Sequence, residues 1–280
     1  MPHPLTDRST VDEPPPVYLS RVGEVFTTFD QQDSGNVSYG VRVGGDRFFV
    51  KTAGDPDDTA PYLDLPGRVA LLRNAATLAD RVRHPVLATL HGVVESPAGP
   101  MLVYAWADGE LVGAHRGLRD DPASAFQRFR GLPVAGIETV LDLVYDAHVA
   151  LAADGWVAAD LYDGCLIYDF GTGRVTVMDL DTYHRGPFTN EMGRMFGSDR
   201  FMSPEEFRLG APIDQRTTAF TLARLAQVFL SGGADGTYDA ATFRGSRERY
   251  DVLHRATRPD PADRYGTVAE FADAWSSAGR

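Results

Sequence analysis

One cysteine, Cys165, occurs among 280 residues. A disulfide framework and a cysteine-built zinc site are therefore excluded, and a reducing compartment suits the chain. The seven histidines form no HExxH or similar pairing that would set two zinc ligands on one helix face. No apolar run reaches the roughly 20 residues of a membrane span, and the N-terminus shows no basic flank followed by an apolar stretch. A cytoplasmic protein with no membrane partner is expected. Positive charge is also scarce: 27 Lys and Arg face 39 Asp and Glu, for a formal charge of -12. That balance argues against nucleic acid or anionic lipid as a partner, so an anionic ligand must be held by a few local donors or a metal. Lysine is the rarest of the charged residues, because every basic residue but Lys51 is arginine.

A lineage preference for arginine explains the bias but not the exception. A site that needs a compact point charge on a slim stem rejects a guanidinium fork. Lys51 is thus the first functional candidate, with a leftover surface lysine as the competing description.

What the sequence does contain is enough apolar material, 43% of the chain, to bury a full core. Residues 1–17 include Pro2, Pro4 and Pro14-Pro15-Pro16 among polar residues, which reads as a disordered Pro-rich tail. Residues 18–107 then carry short apolar strands at 22–29, 37–43, 47–52, 87–94 and 101–104. Turn signals such as Gly44-Gly45-Asp46 separate them. One helix is predicted over 67–83 from Val69, Leu72, Ala76, Ala79 and Val82. Residues 108–280 are mostly helical, with helices expected at 136–154, 204–209, 215–230, 247–258 and 267–276 and short strands at 165–168 and 175–178. The segment 115–133 is where a substrate-specific lid would lie, an ordinary surface loop being the plainer description.

Two stretches carry chemistry. Around Lys51, the small polar turn Ser34-Gly35-Asn36 lies between two strands, and Phe48-Phe49-Val50-Lys51 follows on the next. Such a turn lets backbone N–H groups approach phosphates, although ordinary hairpins use the same residues. Further along, Asp160 follows a helix and precedes a short strand, and a second strand ends in Asp179-Leu180-Asp181. A hairpin of this kind brings Asp160 and Asp179 to one end of a cleft. One carboxylate then accepts a hydroxyl proton and the other binds Mg2+, the two tasks of phosphoryl transfer. Turn capping is the competing role, strongest for Asp163 beside Gly164.

From about residue 20 onward the chain resembles the protein kinase family. Val50-Lys51 resembles the strand whose lysine contacts the α- and β-phosphates, and Arg83-His84-Pro85-Val86-Leu87 the His-Pro turn after the regulatory helix. Leu102 to Gly109 resembles the last small-lobe strand and the adenine hinge. Ala158-Ala159-Asp160 stands at the His-Arg-Asp position and Asp179-Leu180-Asp181 at the Asp-Phe-Gly position. Phe201-Met202-Ser203-Pro204-Glu205 resembles the Ala-Pro-Glu segment, and Asp260-Pro261-Ala262-Asp263-Arg264-Tyr265 the late motif whose arginine pairs with that glutamate. Small-molecule kinases of the aminoglycoside phosphotransferase type generally lack the last two motifs. The resemblance implies an α+β, bilobal protein kinase-like fold, with a small antiparallel-sheet lobe (18–107) and a larger helical lobe (108–280). It also implies a buried ion pair between Glu205 and Arg264.

Four departures accompany the resemblance. The glycine-rich loop retains only Gly35, with Asp33 and Ser38 near the other glycine positions. No glutamate lies between Lys51 and Glu95 to partner the lysine, leaving Asp64 or Asp80 as substitutes. Ala158 and Ala159 replace the His and Arg before Asp160, so a phosphorylated activation segment would find no arginine there. Cys165 and Tyr162 replace the metal-binding asparagine and the lysine after the base.

The expected function is an ATP- and Mg2+-dependent phosphotransferase acting on Ser or Thr hydroxyls of a protein substrate. By the resemblance, Asp160 and Lys51 are catalytic, and Asp179 with Asp181 binds metal. Ser34, Gly35, Asn36 and Lys51 contact phosphates, while Ala105 and Ala107 bind adenine. A pseudokinase that binds nucleotide or acts as a scaffold, and a kinase for a small hydroxyl compound, remain the alternatives.

Overall fold

Alternation of apolar and polar side chains builds a five-stranded sheet in the first part of the chain. A computed structural model describes residues 2–31, 34–58, 60–113, 116–231 and 238–279. The architecture is α+β, with seven helices, one five-stranded antiparallel sheet and several small sheets among the described residues. The chain divides into two compact units, Met1–Arg83 with Ala88–Ala107, and His84–Leu87 with Asp108–Arg280. Among the described residues no helix is long and apolar enough to cross a membrane.

The first unit contains α1 (Pro15–Val22), β1 (Glu24–Phe29), β2 (Val37–Val43), β3 (Asp46–Thr52), α2 (Leu65–Arg81), β4 (Leu90–Ser96) and β5 (Gly99–Ala105). The strand order is β1-β2-β3-β5-β4, every pairing antiparallel. Because successive residues point to opposite faces, Phe48, Val50, Met101 and Val103 enter one apolar cluster. Ala53 and Leu102 enter another, against Leu72 and Ala75 of α2.

The tail expected at residues 1–17 is corrected by the structure. Leu5 and Val11 are buried in the first cluster beside Tyr18 and Leu19. Thr10 forms a parallel bridge with Glu95 of edge strand β4, with Val11 N donating to Glu95 O and Glu95 N to Ser9 O, both at 2.8 Å. Two features that composition hides explain the order. Proline is compatible with a helix's first turn, where its missing N–H goes unused, so the proline run opens α1. Two well-placed apolar residues and an unpaired sheet edge then give the preceding segment somewhere to bind.

The second unit contains β6 (Glu110–Leu111), α3 (Ala125–Arg130), α4 (Val134–Ala153), β7 (Trp156–Val157), β8 (Leu166–Tyr168), β9 (Val175–Val177), β10 (His184–Arg185), β11 (Phe188–Thr189), β12 (Pro212–Ile213), α5 (Gln215–Leu230), α6 (Arg247–Ala256) and α7 (Val268–Ser277). Helix α5 is buried on nearly all sides, as a central core helix must be. Around it, Phe126 and Phe129 of α3 pack near Phe229, and Tyr145 of α4 meets Phe271 and Trp275 of α7. The lid expected within 115–133 therefore includes core: Phe126 and Phe129 are fully buried, and His115 lies outside the described residues. The helix expected at 204–209 is a single 3-10 turn, Pro204–Phe207, closed by Glu206 accepting hydrogen bonds from Ser203 N and Oγ.

Candidate functional site

In the first unit Lys51 lies opposite Ser38 of β2 and Leu102 of β5. Directly opposed residues share a sheet face, so Lys51 stands on the face that carries α2. Its side chain is half-buried. Asp64 caps α2 by accepting from Gly67 N at 2.9 Å, and Asp80 is exposed.

On the buried stripe of α2, in phase with Leu72 and Ala75, stands Arg68, which is fully buried. Its guanidinium donates to Gly35 O at 3.1 Å, Asp55 O at 3.1 Å and Asp58 O at 3.3 Å, while its Nε has no hydrogen-bond partner. The acceptors are all main-chain carbonyls, which a planar fork can serve together and a lysine cannot. Sequence reasoning missed Arg68, although an arginine on the apolar stripe of α2 was the available signal.

The turn Ser34-Gly35-Asn36 is thereby tied to its own unit. Gly35 has φ +78°, and a Cβ there would collide with Pro61. Buried Asn36 donates through Nδ2 to Thr52 O at 2.9 Å, and Thr52 Oγ1 donates to Val37 O at 2.8 Å. Ser34 Oγ accepts from Asn36 N at 3.4 Å. The open depression beside the turn is lined by the acidic residues Asp30, Asp55 and Asp58, which disfavours phosphate on that side. Asp33 lies outside the described residues. At the end of β5, Ala105 N donates to Thr89 O at 2.9 Å and Trp106 N to Arg47 O at 3.2 Å. The Ala105 donor is thus committed to main chain, and Ala107 is half-buried two residues on.

In the second unit β8 and β9 form the expected hairpin, and Met178 N extends it by donating to Cys165 O at 2.9 Å. Asp160 precedes the hairpin and Asp179 follows it. Both have left-handed backbones, φ 57° and 64°, and among the described residues no other non-glycine side chain sits at positive φ. Aspartate enters this region more readily than most residues with a Cβ, and its use on both sides of one hairpin turns the two carboxylates in a way an extended backbone would not. Both carboxylates act on the same two neighbours. Burial, then the charges of Asp179 and Asp160, push the Cys165 thiol far up, and burial with the same two aspartates raises Tyr162. Asp160 and Asp179 are half-exposed, whereas Asp181 is buried.

Cys165 donates through Sγ to Asp160 O at 3.3 Å and is held as a neutral thiol, unsuited to a hard cation. Three further links bind the chain after Asp179 to the chain before Asp160. Thr182 Oγ1 donates to Ala159 O at 2.8 Å, β10 pairs with β7, and Tyr183 OH meets His148 Nε2 at 2.8 Å. Gly197 also approaches closely, since a Cβ there would lie 3.7 Å from Asp160 Oδ1.

The ion pair expected between Glu205 and Arg264 is present, two-toothed at 2.6 and 2.9 Å and fully buried. Burial alone would raise the Glu205 carboxyl, but hydrogen bonds from Arg264 and Thr217 outweigh it and hold it below its ordinary value. Asn190 steadies the same region by donating to the carbonyls of Gly193, Glu205 and Glu206. Among the described residues no group of three or more His, Cys, Asp or Glu is placed to hold a metal by itself. Magnesium commonly takes only one or two carboxylates together with substrate phosphates, so the half-exposed Asp179 carboxylate fits that ion and the neutral thiol does not.

Comparisons with models of known protein families and with curated proteins return no match.

Proposed function

We propose that this chain is an ATP- and Mg2+-dependent phosphotransferase of the bilobal protein kinase type, acting on Ser or Thr hydroxyls of a protein. The observation that carries the reading is the pair of left-handed aspartates, Asp160 and Asp179, on either side of one hairpin. The buried Glu205–Arg264 pair supports it. Asp160 accepts the acceptor hydroxyl's proton as the new O–P bond forms and the bond to the departing diphosphate breaks. Asp179 holds Mg2+, which when bound neutralises phosphate charge. Lys51 supplies a point charge to the α- and β-phosphates. The backbone at Ser34, Gly35 and Asn36 covers them, held in shape by Arg68. Ala107 and the Ala105 main chain meet the adenine.

A second reading, a nucleotide-binding pseudokinase, is favoured by the neutral Cys165 thiol beside Asp160 and by the lack of an acidic residue on the buried stripe of α2. Two measurements separate the readings. Thermal unfolding in ATP with and without Mg2+ tests binding, since ligand at about 100 times Kd stabilises by about 2.7 kcal/mol. Label transfer from γ-labelled ATP, with Asp160→Asn as control, tests chemistry. Metal-dependent stabilisation with transfer lost in the control supports the phosphotransferase, stabilisation without transfer supports the pseudokinase, and no nucleotide response rejects both.

A further inference from the structure

The loop from Asp160 to Cys165 is joined to the segment from Gly197 to Glu205 by a buried charge pair. Arg200 Nη2 donates to Asp163 Oδ2 at 2.6 Å, and the side chains are only 8% and 2% exposed. The Arg200 guanidinium lies over the rings of Phe126 and Phe201, at 5.4 and 4.8 Å from their centroids, and its Nε and Nη1 have no hydrogen-bond acceptor. Arg224 Nε fixes the backbone by donating to Arg200 O at 2.9 Å. The loop side is equally confined, since a Cβ on Gly113 would lie 2.6 Å from Gly164 Cα. Gly197 supplies a second approach between the same two segments, beside Asp160.

Segments of this kind are often ordered by adding a phosphate that arginines then grip. Here the polarity is reversed: the segment carries the cation, the loop carries the anion, and both charges belong to the unmodified chain. Ala159 leaves no arginine directly before Asp160, and Arg200 is already committed. We infer that Arg200 and Asp163 form a built-in latch that positions the 197–205 segment against the Asp160 loop, so that the site is assembled without phosphorylation of that segment. The latch is a feature of the chain; its consequence for catalysis rests on the phosphotransferase reading.

The test uses the full chain, treated with phosphatase and free of nucleotide, and follows amide hydrogen exchange across residues 190–203. Slow exchange is expected in the wild type, with Arg200→Gln exchanging at least about tenfold faster there. Because a stranded buried charge can prevent folding, the double variant Asp163→Asn with Arg200→Gln is measured alongside. It should unfold near the wild-type temperature and still exchange faster in this segment. The wild type exchanging as fast as a folded variant overturns the latch. In transfer assays, phosphatase treatment and Ser198→Ala, at the half-buried hydroxyl within the segment, should leave the rate unchanged. Arg200→Gln should raise the acceptor KM with nucleotide Kd unaltered. Activity that requires phosphate on the segment overturns the latch while sparing the phosphotransferase reading. Slow exchange in a protein that binds no nucleotide spares the latch and rejects that reading.

Discussion

Tyr183 and His148 share a buried hydrogen bond of 2.8 Å, and its direction follows from the other ring nitrogen. His148 Nδ1 lies 2.7 Å from Val144 O, an acceptor, so Nδ1 carries the proton and Nε2 accepts from the Tyr183 hydroxyl. This bond fastens the chain beyond Asp179 to helix α4.

Acid should therefore weaken the fold through His148. Burial lowers its pKa from 6.5 to about 4. The unfolded chain takes up a proton first, so the contribution is whole above pH 6.5 and is lost as pH falls toward 4, by about 3 kcal/mol in all. Urea unfolding of His148→Gln and wild type across this range should show the acid loss reduced in the variant. Equal slopes would contradict the assignment.

Glu206 should act in the opposite sense. Burial raises its carboxyl to about 7 against hydrogen bonds from Ser203. The folded chain keeps this proton where the unfolded chain has shed it, so stability declines as pH rises from 4.5 to 7. In Glu206→Gln that decline disappears while an acceptor for Ser203 remains. The variant should gain on the wild type by up to about 3 kcal/mol between pH 5 and pH 8, read as the difference in unfolding free energy.

Breaking the Glu205–Arg264 pair should cost far more than replacing it. Arg264→Met leaves a buried carboxylate opposite an apolar chain and should destabilise by about 3–5 kcal/mol, whereas Arg264→Met with Glu205→Leu should recover much of the loss. A double-mutant cycle in chemical denaturation measures this, and additive losses would show that the charges do not couple.

Arg68→Lys should loosen the turn at Gly35. A single ammonium cannot span the carbonyls of Gly35, Asp55 and Asp58. A loss of about 2 kcal/mol or more is expected, with faster amide exchange at 34–37 than at β4 and β5. Uniform exchange across the unit would refute the tie.

Under the proposed chemistry, Asp160→Asn should lower the transfer rate by about 10²–10⁴ with nucleotide affinity preserved, measured by single-turnover label transfer. Lys51→Arg should instead raise the nucleotide Kd in thermal-shift titration, because the fork does not fit a point-charge site. Full activity in Lys51→Arg would remove the lysine from the site.

Legibility followed the range of the interaction. Strand β2 and helix α5 lie at the residues their periods predict, 37–43 and 215–230, because alternation and helical stripes are written locally. Helices α1 and α3 are not legible in this way, since proline in one and a short apolar pair in the other resemble loop composition until a core receives them. The turn at Ser34 to Asn36 is small and polar by sequence, but nothing local reveals that the Gly35 carbonyl faces a buried guanidinium.

By itself the sequence determined the main strands of the first unit and the long helices of the second, set Lys51 apart, and marked Asp160, Asp179, Glu205 and Arg264 by their neighbours in short strings. Only the tertiary structure decided how the buried cations are satisfied. Arg68 meets Gly35 from 33 residues away, and Arg200 meets Asp163 from 37. A buried guanidinium is tolerated only where carbonyls, carboxylates or aromatic faces converge on it, and that convergence is a property of the folded chain, with no period or spacing to announce it.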